Sequence, residues 1–460
     1  MTMSSKDPSR VPMSSAIETE APRQSAPTEL SESGLRDLRL AAFAKITDAA
    51  SRFGPVLATT LISQGVSAAA LLLLPLLGPS RSALYAIGIQ TGNGPFTGIV
   101  LGVVYLLAIG RPGFQGWKRW GTVSIAFSAA LSSVVFIVVA RGKLASEFGT
   151  AVMAFYFCAV AVGGALMAVA GLYGARMACE GRPVPLAATT IAPNVGLFLG
   201  IGADFLSLSR TGWLLDCFPQ LGWVLGGAVG LAVIRYKYRS HRVRYSAVHV
   251  AVDETTSSRT RHGVGLGLGA ITSAVFPSLY VSATANLTSG MTAILFLVTR
   301  IGSSVVGVGV NSMLLARFNW SATPRSMSRT AQLLLAIAVA CAAAALGLHW
   351  HAVADVPSNA FALASWLFSI LAAPLVTREL NALRKGTTIL LKVIVDLAAS
   401  SVTLWILFSR PSGTGYLAAF MVSQAVSCAI AAIGLRQRGL LIVSLPLLLA
   451  SYALLVFGWE

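Results

Sequence analysis

Charged residues are scarce in this sequence, and their scarcity decides the class of protein. Only 11% of the 460 residues are Asp, Glu, Lys or Arg, whereas 55% are hydrophobic and the mean hydropathy is +0.74. Soluble domains carry a charge on about a quarter of their residues. The composition therefore excludes a soluble globular protein and predicts an all-α polytopic membrane protein.

Cysteine is also sparse, and the sequence contains no pattern of metal ligands. The five cysteines lie in apolar segments without CxxC spacing, so they indicate small core side chains rather than a disulfide framework. The glycine-rich run at 263–270 has no Walker lysine behind it, and we interpret it as a surface for close helix packing. We expect no metal, no cofactor and no catalytic residue, and therefore no enzyme.

Long apolar stretches make up most of the chain. Each of thirteen stretches is long enough to cross a hydrocarbon core of about 30 Å as a helix. They cover residues 54–77, 84–109, 121–140, 150–175, 184–207, 211–234, 263–287, 290–316, 329–349, 359–377, 386–408, 414–435 and 439–458. We predict about thirteen transmembrane helices, with the N-terminus inside.

The positions of the basic residues support this topology. In a soluble protein a net charge of +17 would suggest nucleic acid as a partner, but here the charge follows the positive-inside rule. The predicted inward segments hold 27 of the 34 Lys and Arg residues, and the outward connections hold five. Arg300 and Lys392 are the two that remain inside spans. The expected partners are therefore anionic membrane lipids and not nucleic acid.

A long basic loop at residues 235–262 lies between the sixth and seventh predicted spans. This division predicts two six-helix lobes around a central cavity. Residues 35–53 have an amphipathic pattern, which suits either a helix on the inner membrane surface or an extension of the first span. The predicted segments are a disordered cytoplasmic tail (1–34), the amphipathic helix (35–53), the N-terminal lobe (54–234), the basic cytoplasmic loop (235–262), the C-terminal lobe (263–435) and an extra C-terminal span (436–460).

Arg300 stands out because it lies in the middle of an apolar span. If that span begins near Ser289, Arg300 lies roughly 15 Å deep, close to the midplane of the bilayer. A cation at this depth costs at least about 2.5–3.5 kcal/mol, so its side chain should face protein or a water-filled cavity. We predict that Arg300 binds an anionic group of the substrate.

A second pair of charges lies in the eleventh span. Lys392 and Asp396 are four residues apart, so they share one face of a helix. One interpretation is a structural ion pair that neutralises itself. The other is that Lys392 contributes to the substrate site and Asp396 is a titratable carboxylate that couples ion or proton entry to transport.

Other polar residues inside the spans need partners as well. Gln64, Asn194 and Asn311 are expected to face either the substrate in a cavity or a neighbouring helix. Asp204 and Asp216 flank a predicted outward turn, and we interpret them as solvated turn residues. Pro277 in the seventh span predicts either a cavity-lining bend or a kink that serves packing alone.

Two segments resemble a known group of transporters. In residues 78–112 a short outward turn leads into TGIVLGVVYLLAIGRP, and in residues 286–319 Arg300 is followed by Gly302, Gly307 and Gly309. With the six-plus-six layout, these features resemble the multidrug/oligosaccharidyl-lipid/polysaccharide exporter superfamily and, within it, the polysaccharide flippases.

This resemblance covers residues 50–435 in layout and implies a function. Such proteins move polyprenyl-pyrophosphate-linked glycans from the inner to the outer leaflet by alternating access. By that resemblance Arg300 would bind the pyrophosphate, and the protein would reside in a bacterial cytoplasmic (inner) membrane alongside envelope polysaccharide synthesis proteins.

Other transporters and enzymes are less consistent with the residues. The similar lipid II flippases expect an arginine within the first helix, where this chain has Arg52 only at the entrance, and they have a fourteenth helix. A multidrug antiporter would prefer an acidic cavity to Arg300. An integral-membrane glycosyltransferase would carry an acidic residue in the first outward turn, which here reads GPSRS.

Overall fold

A computed structural model of the chain describes most of the predicted spans. The described residues are 54–85, 88–89, 96, 117–139, 148–179, 182–206, 217–240, 256–284, 287–311, 326–350, 355–382 and 386–457. The predicted tail and amphipathic helix, most of the second span and most of the basic loop lie outside them, so those predictions stay predictions.

The described residues are helical, with short turns between helices and no strand among them. The helices are α1 (Gly54–Leu77, ending in a 3-10 turn at Leu74–Leu77), α2 (79–85), α3 (Trp117–Val139), α4 (Thr150–Cys179), α5 (Ile191–Leu206), α6 (Phe218–Ser240), α7 (Thr256–Thr284), α8 (Ser289–Val306), α9 (Ser326–Trp350), α10 (Asp355–Ala382), α11 (Gly386–Ser409), α12 (Gly413–Leu435) and α13 (Arg438–Phe457). We refer to α1–α6 as the N-terminal half and to α7–α13 as the C-terminal half.

Ten helical segments within the described residues are long and apolar enough to cross a membrane: α1, α4, α6, α8–α13, and α5 together with the short helical turns that lead into it from Val184. Their outer faces carry exposed large apolar side chains, including Leu199, Leu225, Leu333 and Trp405. Such faces suit lipid, while the backbone polar groups are satisfied within each helix. The all-α polytopic membrane class is therefore confirmed. The total of thirteen spans stays a prediction.

Glycines set the packing of α5 against α6. A Cβ atom at Gly222 would clash with the carbonyl oxygen of Gly196, and one at Gly226 would clash with the carbonyl oxygen of Ala192. The two helices therefore approach backbone to backbone, as small residues permit in membrane proteins. On its other side α6 packs against α4, where the ring of Trp223 covers Gly163.

The C-terminal half is organised around α12. In its most apolar segment 72% of the residues are buried, far more than in any other of the ten candidate spans. Helices α10, α11 and α13 pack against it. Helix α13 also contacts α9, and Gln437 just before it donates a hydrogen bond to Glu379 of α10 (3.3 Å) and one to Ser328 of α9 (2.9 Å).

Candidate substrate site

Helix α8, which carries Arg300, presents three different faces to its surroundings. The first consists of Leu295, Thr299 and Gly302, which are spaced four and three residues apart and so share one stripe. This stripe contacts the C-terminal half: Thr299 meets Tyr416 of α12, and the Trp366 ring of α10 fills the space beside Gly302. It anchors α8 to its own half of the chain.

The second face of α8 is turned toward the N-terminal half and includes Arg300. Phe296 stacks edge-to-face on Tyr85 of α2, with ring centroids 5.9 Å apart and an interplanar angle of 79°. Three turns along, a Cβ atom at Gly307 would lie 3.4 Å from Nε2 of Gln64 in α1. Arg300 lies between these contacts on the same stripe and is close enough to Tyr85 to interact with it electrostatically.

The third face of α8 is exposed and apolar. Ile294, Ile301 and Val305 are each about half exposed and follow the same helical spacing. Arg300 is not on this stripe and is itself only partly exposed. The structure thus places the guanidinium at the boundary between the two halves of the chain rather than on the lipid-facing side.

Local features of α8 define the helical segment that carries Arg300. Thr288 caps the helix by accepting a hydrogen bond from the Met291 amide (3.3 Å), and the Oγ of Ser304 donates one to the Arg300 carbonyl (2.9 Å). After Val306 the chain widens into a π-helical turn at Gly307–Asn311. Such turns interrupt the regular ladder and are frequent at functional sites.

Lys392 and Asp396 lie inside the C-terminal half rather than beside Arg300. The Asp396 side chain is 8% exposed and accepts a hydrogen bond from Ser423 of α12 (2.9 Å). Among the described residues, Lys392 acts on Asp396 and on Cys428 only through longer-range attraction, without a direct ion pair. Tyr280, on the proline-containing α7, is within electrostatic range of Asp396.

The other predicted site residues have different surroundings. Gln64 is partly buried and faces Gly307 of the Arg300 helix. Asn194 is buried, and its amide donates hydrogen bonds to the backbone oxygen (3.0 Å) and the Oγ (3.2 Å) of Ser63, which fastens α5 to α1. Asn311 ends the π-helical turn, and its side chain lies outside the described part of the chain.

The structure corrects the interpretation of Asp204. This residue is not a solvated turn residue: its side chain is 1% exposed, and its Oδ1 forms an ion pair with Nη1 of Arg81 at 3.2 Å. Asp216 lies outside the described residues. A carboxylate this close to the end of an apolar span needs a partner. Arg81 is one of only five basic residues in the predicted outward connections, so the sequence already contained a signal for this pair.

A buried polar cluster surrounds this ion pair. Tyr156 of α4 accepts a hydrogen bond from the Gln220 amide of α6, and both Asp204 and Tyr85 lie within electrostatic range of the Tyr156 hydroxyl. The Oε1 of Gln220 is buried and has no hydrogen-bond partner among the described residues. Within the same residues, no group of His, Cys, Asp or Glu side chains could hold a metal ion.

Comparison with known proteins gives matches only at the level of structure. No family model and no curated protein matches the chain. The solved structure of the eukaryotic MATE transporter AtDTX14 matches with 12% identity and a TM-score of 0.42, covering 89% of this chain and 99% of that one. A variant of the Vibrio cholerae MATE transporter VcmN matches with 15% identity and a TM-score of 0.42, over 89% and 97% of the two chains.

Proposed function

We propose that this protein is a flippase that exports a polyprenyl-pyrophosphate-linked glycan, such as a polysaccharide repeat unit, by alternating access. The observation that carries the proposal is the position of Arg300. It lies near mid-depth on the stripe of α8 that faces the N-terminal half, between the contacts made by Phe296 and Gly307. A bound anion there would touch both halves of the chain, which alternating access requires to move relative to each other.

The chemistry of arginine suits this substrate. A guanidinium is always charged and presents a rigid fork of donors that matches phosphate oxygens in a bidentate arrangement. At the boundary between packed helices the effective dielectric constant is lower than in water, so the attraction is stronger than at a protein surface. Among the described residues no carboxylate forms an ion pair with Arg300, which supports an anionic ligand rather than a structural partner.

In this proposal, the residue that couples ion or proton movement to transport lies in the C-terminal half. Asp396 is buried and accepts a hydrogen bond from Ser423, and it is the carboxylate that we propose exchanges a proton or an ion during the cycle. Lys392 lies one helical turn away and would set the local charge rather than bind the pyrophosphate. The resemblance to polysaccharide flippases supports a bacterial inner membrane as the location, with envelope polysaccharide synthesis proteins as partners.

The test is transport by reconstituted protein. Proteoliposomes would receive a polyprenyl pyrophosphate that carries one labelled sugar, and translocation would be followed by chemical protection of the label. Arg300→Ala should lower the rate by at least about tenfold, because it removes a charge-assisted bidentate contact. Arg300→Lys should keep part of the activity, since it keeps the charge but not the fork.

The matched control is Arg410→Ala, which removes an exposed arginine at the end of α11. This variant should transport at the wild-type rate. Full activity of Arg300→Ala at normal abundance would rule out the anion site.

A multidrug antiporter is the second candidate, because the buried carboxylates Asp204 and Asp396 could favour a cationic substrate. The same proteoliposomes distinguish the two functions. Uptake of a lipophilic dye cation without movement of the labelled lipid would establish the antiporter. Competition between lipid II and the labelled glycan lipid would show whether the protein acts in peptidoglycan synthesis instead.

A further inference from the structure

The two side chains of the Arg81–Asp204 ion pair are exposed to different extents. Asp204 is 1% exposed, whereas Arg81 is 31% exposed in the first predicted outward turn. The turn itself is firmly held: Gly78 adopts a left-handed φ of 94°, and Ser82 donates hydrogen bonds to the Leu74 and Gly78 carbonyls (2.9 and 2.8 Å). Arg81 is therefore presented at a defined position and remains accessible.

Helix α2 connects this position to Arg300. Arg81 and Tyr85 are four residues apart, so they lie on the same face of α2, with Arg81 nearer the predicted outer surface. Tyr85 stacks on Phe296 and is within electrostatic range of Arg300. The groups thus follow one another from mid-depth toward the outer surface: Arg300, then Tyr85, then Arg81.

We infer that Arg81 is a second anion-binding side chain, which receives the pyrophosphate from Arg300 on the outward side before the lipid is released. This inference rests on the proposed flippase function and adds an exit site to it. Asp204 is the counter-ion that occupies Arg81 while no substrate is there.

The chemistry of the pair suits a transient site. A guanidinium presents five N–H donors in a plane, and 31% of the Arg81 side chain is exposed, so phosphate oxygens can approach it beside its contact to Asp204. The nearby negative charge of Asp204 makes this binding weak, and weak binding favours release. A site of the strength of Arg300 at the exit would instead retain the lipid.

The experiment separates this role from a structural one by two neutral substitutions. Arg81→Ala combined with Asp204→Asn removes both charges of the ion pair at once. We expect this double variant to bind the labelled lipid within about twofold of wild type, because Arg300 is intact, but to transport it about tenfold more slowly. Asp204→Asn alone leaves Arg81 charged but should bind the lipid more tightly at the exit, so its transport should fall below wild type and stay above that of the double variant.

Inorganic pyrophosphate provides a probe that does not cross the membrane. Added outside right-side-out membrane vesicles, it should inhibit Asp204→Asn at a concentration at least about fivefold lower than wild type, since the competing carboxylate is gone. It should not inhibit the double variant. Arg410→Ala again serves as the control and should match wild type in both measurements.

Each outcome decides the inference. If Asp204→Asn loses as much transport as the double variant, the ion pair is structural and the exit site is overturned. It is equally overturned if the double variant transports normally, or if the three proteins respond alike to pyrophosphate. Loss of activity in Arg300→Ala together with normal activity in the double variant would reject the exit site alone, whereas full activity of Arg300→Ala would reject the proposed function.

Discussion

Buried charges at the residue scale have different partners in the two halves of this protein. In the N-terminal half Asp204 is paired with Arg81, so its charge is compensated by a direct contact. In the C-terminal half Asp396 accepts a hydrogen bond from the Ser423 hydroxyl at 2.9 Å, and Lys392 acts on it electrostatically without forming a direct ion pair among the described residues. Among the described residues, Asp396 therefore has no direct counter-ion, so a proton or cation taken up during the cycle would not have to displace one. The difference supports Asp396 as the coupling group.

Substitution of Asp396 tests this assignment. Asp396→Asn keeps the size and the hydrogen bond to Ser423 but cannot gain or lose a proton. We expect transport driven by an imposed ion gradient to fall to the rate measured without a gradient, while binding of the labelled lipid is unchanged. The measurement is the translocation rate in proteoliposomes with and without a proton or sodium gradient.

Ser423→Ala is the control for this variant, since it removes the hydrogen bond but leaves the carboxylate. It should remain responsive to the gradient. A response of Asp396→Asn equal to wild type, or a loss of lipid binding in step with transport, would assign Asp396 a structural role.

At the scale of helices, the packing of α5 against α6 depends on glycines, which have no side chain at the contact. Gly196 and Gly222 let α5 and α6 touch through their backbones, and this contact holds α5, the helix that carries Asp204, in place. In helix α8, large side chains such as Phe296 also make contacts with neighbouring helices. The packing of α5 thus positions Asp204, and the packing of α8 positions Arg300.

An added methyl group at the α5–α6 contact should therefore lower the stability of the protein. Gly222→Ala would push a Cβ atom into the Gly196 carbonyl oxygen, and such overpacking typically costs about 1–3 kcal/mol. Thermal unfolding in detergent should show a lower midpoint, and transport should fall with it.

Gly227→Ala on the same helix is the matched control. Its Cβ atom would lie 3.6 Å from the Leu166 Cβ, an ordinary van der Waals distance, so the midpoint should stay near that of wild type. Equal midpoints for Gly222→Ala and Gly227→Ala would show that the close contact is not a determinant of stability.

At the scale of the whole molecule, helix α13, which the sequence predicted as an extra C-terminal span, packs within the C-terminal half. It packs along α12 and α9, and Gln437 at its start joins a buried network with Glu379 and Ser328 on two other helices. Glu379 also accepts a hydrogen bond from the Ser328 hydroxyl. Removing one member of such a network leaves a buried charge with fewer partners.

Gln437→Ala should accordingly destabilise the C-terminal half by about 1–3 kcal/mol, because the buried Glu379 and Ser328 lose a hydrogen-bond donor. Limited proteolysis is expected to release the C-terminal segment faster than in wild type. Gln437→Glu should be worse still, since it brings a second carboxylate to Glu379. Unchanged proteolysis in both variants would mean that α13 is held by apolar packing alone.

The amino-acid sequence by itself determined that this is an all-α membrane protein, where most of its spans lie, and that Arg300 must avoid lipid. Transfer of a segment into a membrane is a sum over neighbouring residues, so it can be evaluated from local composition. Only the tertiary structure decided which polar groups meet. Arg81 and Asp204 are 123 residues apart, and Asn194 and Ser63 are 131 apart. Such pairs depend on how helices pack and on which faces they turn to each other, and that packing rests on small residues whose effect is seen only in three dimensions.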